Sequence, residues 1–319
     1  MKGAIEKAIL LVGGKGTRLA PLTNSTPKPM IRIAGAPVTE HQILKARAAG
    51  VKEIVLATSY LAEVFQPYFG NGEKFGVSIK YAVEQEPLGT GGAIANAAKE
   101  LSLKPNESLF IFNGDVLSEH NLAAQSQFHQ ELGADVTLHL IEVVDARPYG
   151  CVPIDRDGRV LEFLEKMPEP KAKTINAGCY IFKSEIIEKL PHGEVISIER
   201  DAFPKWLSDD GKIYGYLDSS YWIDMGTPEA MVRASRDLVR RHHGAALISP
   251  SATIHPSAVI DGGSFIEADS LINSDVRISG SIIAHGAIIE SGAIIENSYI
   301  ASQSRVKMGS NLREIIHGF

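Results

Sequence analysis

Up to about His243 the chain alternates short apolar, β-branched runs with segments of helical period. "KAILLV" (Lys7–Val12), "EIVLAT" (Glu53–Thr58), "VSIKYA" (Val77–Ala82) and "LFIF" (Leu109–Phe112) read as strands. Between them Thr39–Ala49, Gly92–Leu101 and Glu119–Leu132 read as helices. Thr39 and Gln42 have the spacing of a capping box, and Gly50 suits the far end of that helix. Strands this apolar, separated by helices, predict a mostly parallel sheet covered on both faces, with ligands beyond the carboxyl ends of its strands.

From Ile248 onward the period changes. Ile248, Ile254, Ile260, Ile266, Ile272 and Ile278 stand six apart. A five-residue step leads to Ile283, Ile289 and Ile295, and another to Ile300, Val306 and Leu312. From Ile254 on, a small or β-branched residue precedes each by two places, as Ala252, Ser264, Ser281 and Ser298 do. A sustained six-residue period predicts a parallel β-helix whose stacked coils bury one aliphatic ladder. Two domains are therefore expected: residues 1–244, α/β, and residues 245–319, a β-helix of hexapeptide repeats. The repeat carries no reactive cluster, so it is expected to serve structure or assembly, with a homo-oligomer as the expected state.

The first strand runs into "GGKGTRLAPLTNSTPKPM" (Gly13–Met30). Its glycines fit neither the Walker A loop nor the dinucleotide fingerprint: Gly16 follows Gly14-Lys15, and Leu19 stands where a third glycine would. Glycines after a strand still let backbone N–H groups converge on an anion. Arg18 adds a forked cation suited to phosphate oxygens. Lys28, between Pro27 and Pro29, has a stiff local backbone that holds its ammonium in one place. The combination favours phosphate binding; a glycine turn or a solvated lysine alone would not.

Composition narrows the class without naming it. The 319 residues, 44% hydrophobic and 22% charged, suit a water-soluble protein of two domains. A formal net charge of −6 argues against a general nucleic-acid binder. Cys151 and Cys179 have no metal-ligand spacing and fit packing residues in a reducing compartment. No apolar run matches a signal-peptide core or a membrane span, so no membrane partner and a cytoplasmic location are expected.

The motifs resemble those of the sugar-1-phosphate nucleotidyltransferases (nucleotide-sugar pyrophosphorylases) over nearly the whole chain. After "GGKGTRLAPLT…PKP" come "EQEPLGTGGA" (Glu84–Ala93), "NGD" (Asn113–Asp115), "YG" (Tyr149–Gly150), "EK" (Glu165–Lys166), "NAGCYIF" (Asn176–Phe182) and "YWIDMGTPEA" (Tyr221–Ala230), in the family's order. "EQEPLGT" and "SIERDAFP" (Ser197–Pro204) most resemble the mannose-1-phosphate guanylyltransferase branch. Val12 replaces the usual alanine and Met167 the usual proline, and neither change removes a functional group. The resemblance implies a Rossmann-like catalytic domain with a mixed, mostly parallel sheet, followed by a left-handed parallel β-helix. It also implies attack of a sugar 1-phosphate on an NTP, giving an NDP-sugar and pyrophosphate.

By motif position, the resemblance implies that Gly13, Gly14, Gly16, Thr17, Arg18, Glu84, Pro87, Gly89 and Thr90 bind the nucleotide. Lys28, Gly150, Glu165, Lys166 and Asn176 would bind the sugar phosphate. Arg18, Lys28, Asp115 and Asp224 would be catalytic, with Asp115 and Asp224 holding Mg²⁺. Asp115 also follows a strand directly, whereas two aspartates so far apart give no spacing signal of their own. Glu84 stands where pyrimidine-specific relatives present a glutamine. Guanine offers neighbouring donors, N1–H and N2–H₂, which one carboxylate can accept together. GTP is therefore the expected nucleotide, with Glu84 as its reader or, after a one-residue slip, Gln85 in its place; the resemblance implies mannose 1-phosphate as the sugar. The alternatives are uridylyl, thymidylyl or adenylyl transfer, a non-catalytic nucleotide-sugar sensor, and a β-helix acyltransferase using His255 or His285. The acyltransferase lacks its long loop insertion.

Overall fold

The computed structural model describes residues 4–164 and 166–319. It divides into two compact units: the chain up to Lys15 with Thr39–Trp222, and Gly16–Val38 with Ile223–Phe319. The first unit is built on a seven-stranded sheet. Its strands, in chain order, are β1 (Lys7–Leu11), β2 (Glu53–Thr58), β3 (Ser78–Val83), β4 (Ser108–Asn113), β5 (Val136–Glu142), β6 (Thr174–Lys183) and β7 (Ile213–Leu217). The spatial order is β7-β5-β6-β4-β1-β2-β3. β6 runs antiparallel to both neighbours and every other pairing is parallel. The sheet is thus mixed and mostly parallel, and its central strands are apolar because both faces are covered.

Helix α1 (Val38–Ala48) ends as expected, with Gly50 at positive φ. Its start differs from the expected capping box. Thr39 lies inside the helix and is fully buried, and the Gln42 side chain donates to the carbonyls of Asn113 and Val116, both at 2.8 Å. A long-range pair of carbonyls takes the side chain in place of the local N–H. Helices α2 (Gly89–Ala98) and α3 (Leu122–Glu131) lie within a few residues of their expected spans.

In the second unit, helix α4 (Pro228–His242) is capped by Thr227 and precedes three parallel sheets of five, four and four short strands. Ile266 pairs with Ile283, and Ile283 with Ile300, so one circuit takes seventeen residues there. The first circuit, Ile248 to Ile266, takes eighteen. The five-residue steps in the period are these shortened circuits. The aliphatic ladder read from the sequence, Ile254 through Leu312, is the core of this unit. Serines explain the shortened corner. The N–H groups of Ser281, Ser298 and Ile315 donate to the hydroxyls of Ser264, Ser281 and Ser298 on the preceding coil. Each hydroxyl donates in turn to a carbonyl of its own coil. A hydroxyl can do both at once, so the buried backbone loses no partner where a residue is missing.

Candidate active site

In the first unit the expected nucleotide residues follow the carboxyl ends of β1 and β3 and lie at the start of α2. Val12 N–H donates to Ala57, and the next residue, Gly13, is fixed by sterics: a Cβ there would lie 2.7 Å from the Ser59 hydroxyl, which itself bonds the Gly13 carbonyl. A Cβ on Gly14 would meet nothing within 4 Å, so packing does not demand glycine at that place. Glu84 follows β3. One carboxylate oxygen receives a long 3.4 Å contact from the Leu88 N–H, and the other, Oε1, is buried without a hydrogen-bond partner among the described residues. Burial pushes this carboxyl above its ordinary pKa, against the opposing effect of the Leu88 N–H. Gln85 is exposed. An acceptor held out of water is costly unless a donor from outside the chain reaches it.

The glycines of "LGTGGA" have a packing cause. Cβ atoms at Gly89 and Gly92 would lie 2.5 and 2.6 Å from the carbonyls of Ile196 and Glu194, and one at Gly91 would lie 2.7 Å from the Ile196 side chain. The segment before "SIERD" therefore presses on the start of α2. Pro87 and Gly89 are exposed. Thr90 is a junction: its hydroxyl donates to Glu199 at 3.0 Å and accepts from Ile198 N–H at 2.8 Å. The other Glu199 oxygen accepts from the buried Tyr180 hydroxyl at 3.2 Å, which Asn176 reaches at 2.8 Å and Asn113 at 3.4 Å. Glu199 and Tyr180 thus link the nucleotide loop to the expected sugar-binding Asn176. Sequence reading missed both, since Thr90 and Glu199 are 109 positions apart.

Asp115 is half-buried on a turn pinned from behind. Gly114 N–H donates to Leu11, and a Cβ at Gly114 would come within 2.5 Å of that carbonyl. The two Gln42 bonds bracket the aspartate. Lys45, one turn further along α1, donates to Ser118 at 2.6 Å and stands 3.0 Å from the His120 ring. Burial lowers Lys45 to about 8 and His120 to about 3, so at neutral pH the imidazole accepts and the ammonium donates. Of the remaining expected sugar residues, Gly150 is buried at φ 80°, Lys166 is exposed, and Glu165 lies outside the described residues.

The second unit gathers a separate group. Gly16, at φ 61°, leaves no room for a Cβ, which would lie 2.9 Å from the Cβ of Lys28. Glycine here lets the lysine stem pack on the backbone. Lys28 is only 7% exposed, and its ammonium stands 3.8 Å from Asp224 Oδ1. Thr17 and Arg18 lie on the single turn Thr17–Leu19 that Gly16 starts. A Cβ on Gly226 would lie 2.9 Å from the Arg18 guanidinium, so Gly226 makes room for it. Gly16, Lys28 and Asp224 therefore form one cluster, and the Arg18 guanidinium packs beside Gly226, two residues past that carboxylate. Burying an ammonium is costly unless anionic groups surround it, and a phosphate would complete that shell.

Residues 7–241 match the Nucleotidyl transferase family model, and residues 242–317 match the GMPPB C-terminal domain. The chain is 52% identical over 234 residues to mannose-1-phosphate guanylyltransferase of Mycobacterium tuberculosis, a match covering 73% of this chain and 64% of that protein. It is 37% identical to the catalytic subunit beta of mannose-1-phosphate guanylyltransferase of Drosophila pseudoobscura pseudoobscura, covering 70% of this chain and 60% of the relative. The chain thus spans somewhat under two thirds of the length of these two relatives. Among solved structures, HddC from Yersinia pseudotuberculosis is similar with 32% identity and a TM-score of 0.63, over 73% of this chain and 99% of HddC. A second HddC structure, complexed with GMP-PN, matches with a TM-score of 0.61. The chain belongs to the nucleotidyl transferase family.

Proposed function

We propose that this protein transfers GMP from GTP to mannose 1-phosphate, forming GDP-mannose and releasing pyrophosphate. The observation that carries the base assignment is Glu84, whose buried Oε1 has no donor among the described residues, and guanine would supply one. The names of the M. tuberculosis and Drosophila relatives support the same sugar and base, and the GMP-PN complex of HddC supports a guanine nucleotide. We keep 1–244 as the catalytic domain and 245–319 as the β-helix domain, a division supported by the boundary between the two family matches at residues 241 and 242.

In this reading an oxygen of the mannose phosphate attacks the α-phosphorus of GTP. One P–O bond forms, the bond to the β-phosphate breaks, and pyrophosphate leaves with the electron pair. No covalent enzyme intermediate is needed, so positioning and charge neutralisation carry the catalysis. Arg18 holds the triphosphate, and Lys28 contacts the phosphates that react. Gly13, Gly14, Gly16 and Thr17 line the triphosphate, while Glu84, Pro87, Gly89 and Thr90 hold the nucleoside. Gly150, Glu165, Lys166 and Asn176 orient the sugar phosphate.

Asp115 and Asp224 are the proposed Mg²⁺ ligands, and both offer the hard oxygen donors that ion prefers. Among the described residues no group of three or more His, Cys, Asp or Glu converges. One or two carboxylates suit a magnesium ion that completes its shell with phosphate oxygens and water. When bound, it would neutralise charge on the pyrophosphate as that group leaves. Among the described residues no helix is long and apolar enough to cross a membrane. We place the reaction in the cytoplasm and the enzyme in a homo-oligomer, whose mass light scattering would measure.

The base assignment is tested by Glu84→Gln. A mispaired polar contact costs on the order of 1–3 kcal/mol, so preference for GTP over UTP should fall roughly 5- to 150-fold. Stability should move the other way. Because burial raises the carboxyl pKa, folding favours the neutral form, and the ionised group at neutral pH opposes folding. A neutral amide removes that opposition, so the unliganded variant should melt no lower than wild type. An unchanged NTP ranking, by kcat/KM, would reject Glu84 as the base reader.

A further inference from the structure

The β-helix carries a largely, but not fully, buried carboxylate that the proposed reaction does not use. Glu267 follows the strand Ser264–Ile266, and its side chain is 11% exposed. Its oxygen lies 3.5 Å from Arg32 Nε. Burial raises the Glu267 carboxyl, and Arg32 is the largest influence holding it down, with His285 contributing less. Tyr299 faces the same carboxylate, which helps raise that phenol. A carboxylate with an apolar ladder behind it is costly to bury, and its cation comes from the segment that bears Lys28.

Arg32 opens a two-residue hairpin, Arg32–Ile33 with Ala36–Pro37, immediately after the turn Lys28–Met30. Its Nη2 also donates to the Gly35 carbonyl across the hairpin tip. The tip has two further attachments within this unit. Ala34 N–H donates at 3.0 Å to the hydroxyl of Ser235, buried on α4. A Cβ at Gly35 would lie 3.1 Å from Leu247, on the first β-helix strand. Helix α4 is in turn tied to the coils, Arg236 to Asn297 at 3.0 Å and Arg240 to the Gly262 carbonyl at 2.9 Å. Towards Lys28 the path is backbone: Ile31 N–H donates to the Lys28 carbonyl and Met30 N–H to that of Pro27. The hairpin is thus a short rigid element with the lysine at one end and the β-helix at the other.

We propose that Glu267 is a positioning residue for Lys28, acting through Arg32, so that the β-helix anchors the lysine-bearing segment. The role of Lys28 in the proposed guanylyl transfer is the reading on which this rests. The carboxylate fixes the guanidinium, the guanidinium closes the hairpin tip, and the hairpin fixes the direction in which the lysine leaves Pro27 and Pro29. Loosening the anchor misplaces an ammonium needed as charge develops on the phosphates, so the loss falls on kcat and not on KM.

The test compares full-length Glu267→Gln, Arg32→Met, Arg32→Lys and the Arg32→Met/Glu267→Gln double variant with wild type. Arg313→Gln, which removes an exposed β-helix pair of the same 3.5 Å length, is the control. Hydrogen exchange should be about fivefold faster at Met30, Ile31, Ala34 and Val38 in Glu267→Gln and Arg32→Met, but not in the control. The kcat for pyrophosphate release should fall about 3- to 30-fold with the KM for GTP within about twofold. The double variant should be no worse than the worse single one, and Arg32→Lys should recover most of the loss. Should Glu267→Gln fail to fold, Arg32→Met, at the more exposed partner, carries both readouts. Unchanged exchange, additive losses, or faster exchange with unchanged kcat would each overturn the proposal. A wild type inactive on GTP and mannose 1-phosphate would overturn the proposed reaction instead, and with it the positioning of Lys28. Exchange alone would still show whether the anchor exists.

Discussion

Lys28→Met is expected to lower kcat about 10²- to 10³-fold, the loss seen when a preorganised charge-stabilising group is removed from a transition state. Methionine keeps the apolar stem that packs on Gly16 and removes only the ammonium. The reverse reaction, pyrophosphorolysis of GDP-mannose, should lose kcat/KM by a matching factor, because an enzyme cannot shift the overall equilibrium. Resolving kcat from KM separates a charge that acts on the reacting phosphates from one that only binds GTP. In the second case KM would rise and kcat would hold. Loss of the ammonium also leaves Asp224, 3.8 Å away in the wild type, beside less positive charge. A modest drop in melting temperature is therefore expected alongside the catalytic loss, and a fully folded variant with wild-type kcat would remove Lys28 from the mechanism.

Asp115→Asn is expected to cost turnover about 10²-fold or more with little change in stability. The turn that carries Asp115 is held by Gly114 N–H on Leu11 and by Gln42 on Asn113 and Val116, none of which needs the carboxylate. Excess chelator should abolish wild-type activity and added Mg²⁺ should restore it. A second readout avoids relying on activity: Mn²⁺ bound in the presence of GTP, counted by electron paramagnetic resonance, should weaken in the variant. Full activity in chelator, or unchanged Mn²⁺ binding in Asp115→Asn, would remove Asp115 from the metal site.

How much of this was legible before the structure depends on the range over which each signal acts. The β-helix was legible almost residue by residue, because each coil buries the same two positions and the period repeats along the chain. Even its shortened circuits showed, as five-residue steps at Ile283 and Ile300. The first strands were legible from β-branched runs, but β5, β6 and β7 were not singled out. β5 carries Thr137 and His139 inside a buried strand, and these polar residues break the apolar run. Thr137 is met by His129 at 2.8 Å, and His139 stacks on His120 at 3.7 Å with its pKa driven down to about 2 by burial. Such partners come from other elements and leave no local trace.

Gln42 shows the same limit in the site. Three residues after Thr39 it satisfies a local helix-start pattern, yet its partners are 71 and 74 positions away. Glu84 could be singled out as a candidate because a carboxylate accepts both neighbouring donors of guanine, which an amide does not. Glu199, Tyr180 and the Arg32–Glu267 pair could not, since each acts only through residues brought near it by folding.

Guanylyl transfer to mannose 1-phosphate is the reaction proposed for this protein. Its most direct test is a matrix of GTP, UTP, dTTP and ATP against mannose 1-phosphate and glucose 1-phosphate, scored as kcat/KM by pyrophosphate release with Mg²⁺ present. The highest value is expected for GTP with mannose 1-phosphate, with each other nucleotide roughly 5- to 150-fold or more behind. A wild-type enzyme that prefers UTP, dTTP or ATP, or that releases no pyrophosphate from GTP and mannose 1-phosphate, would contradict it.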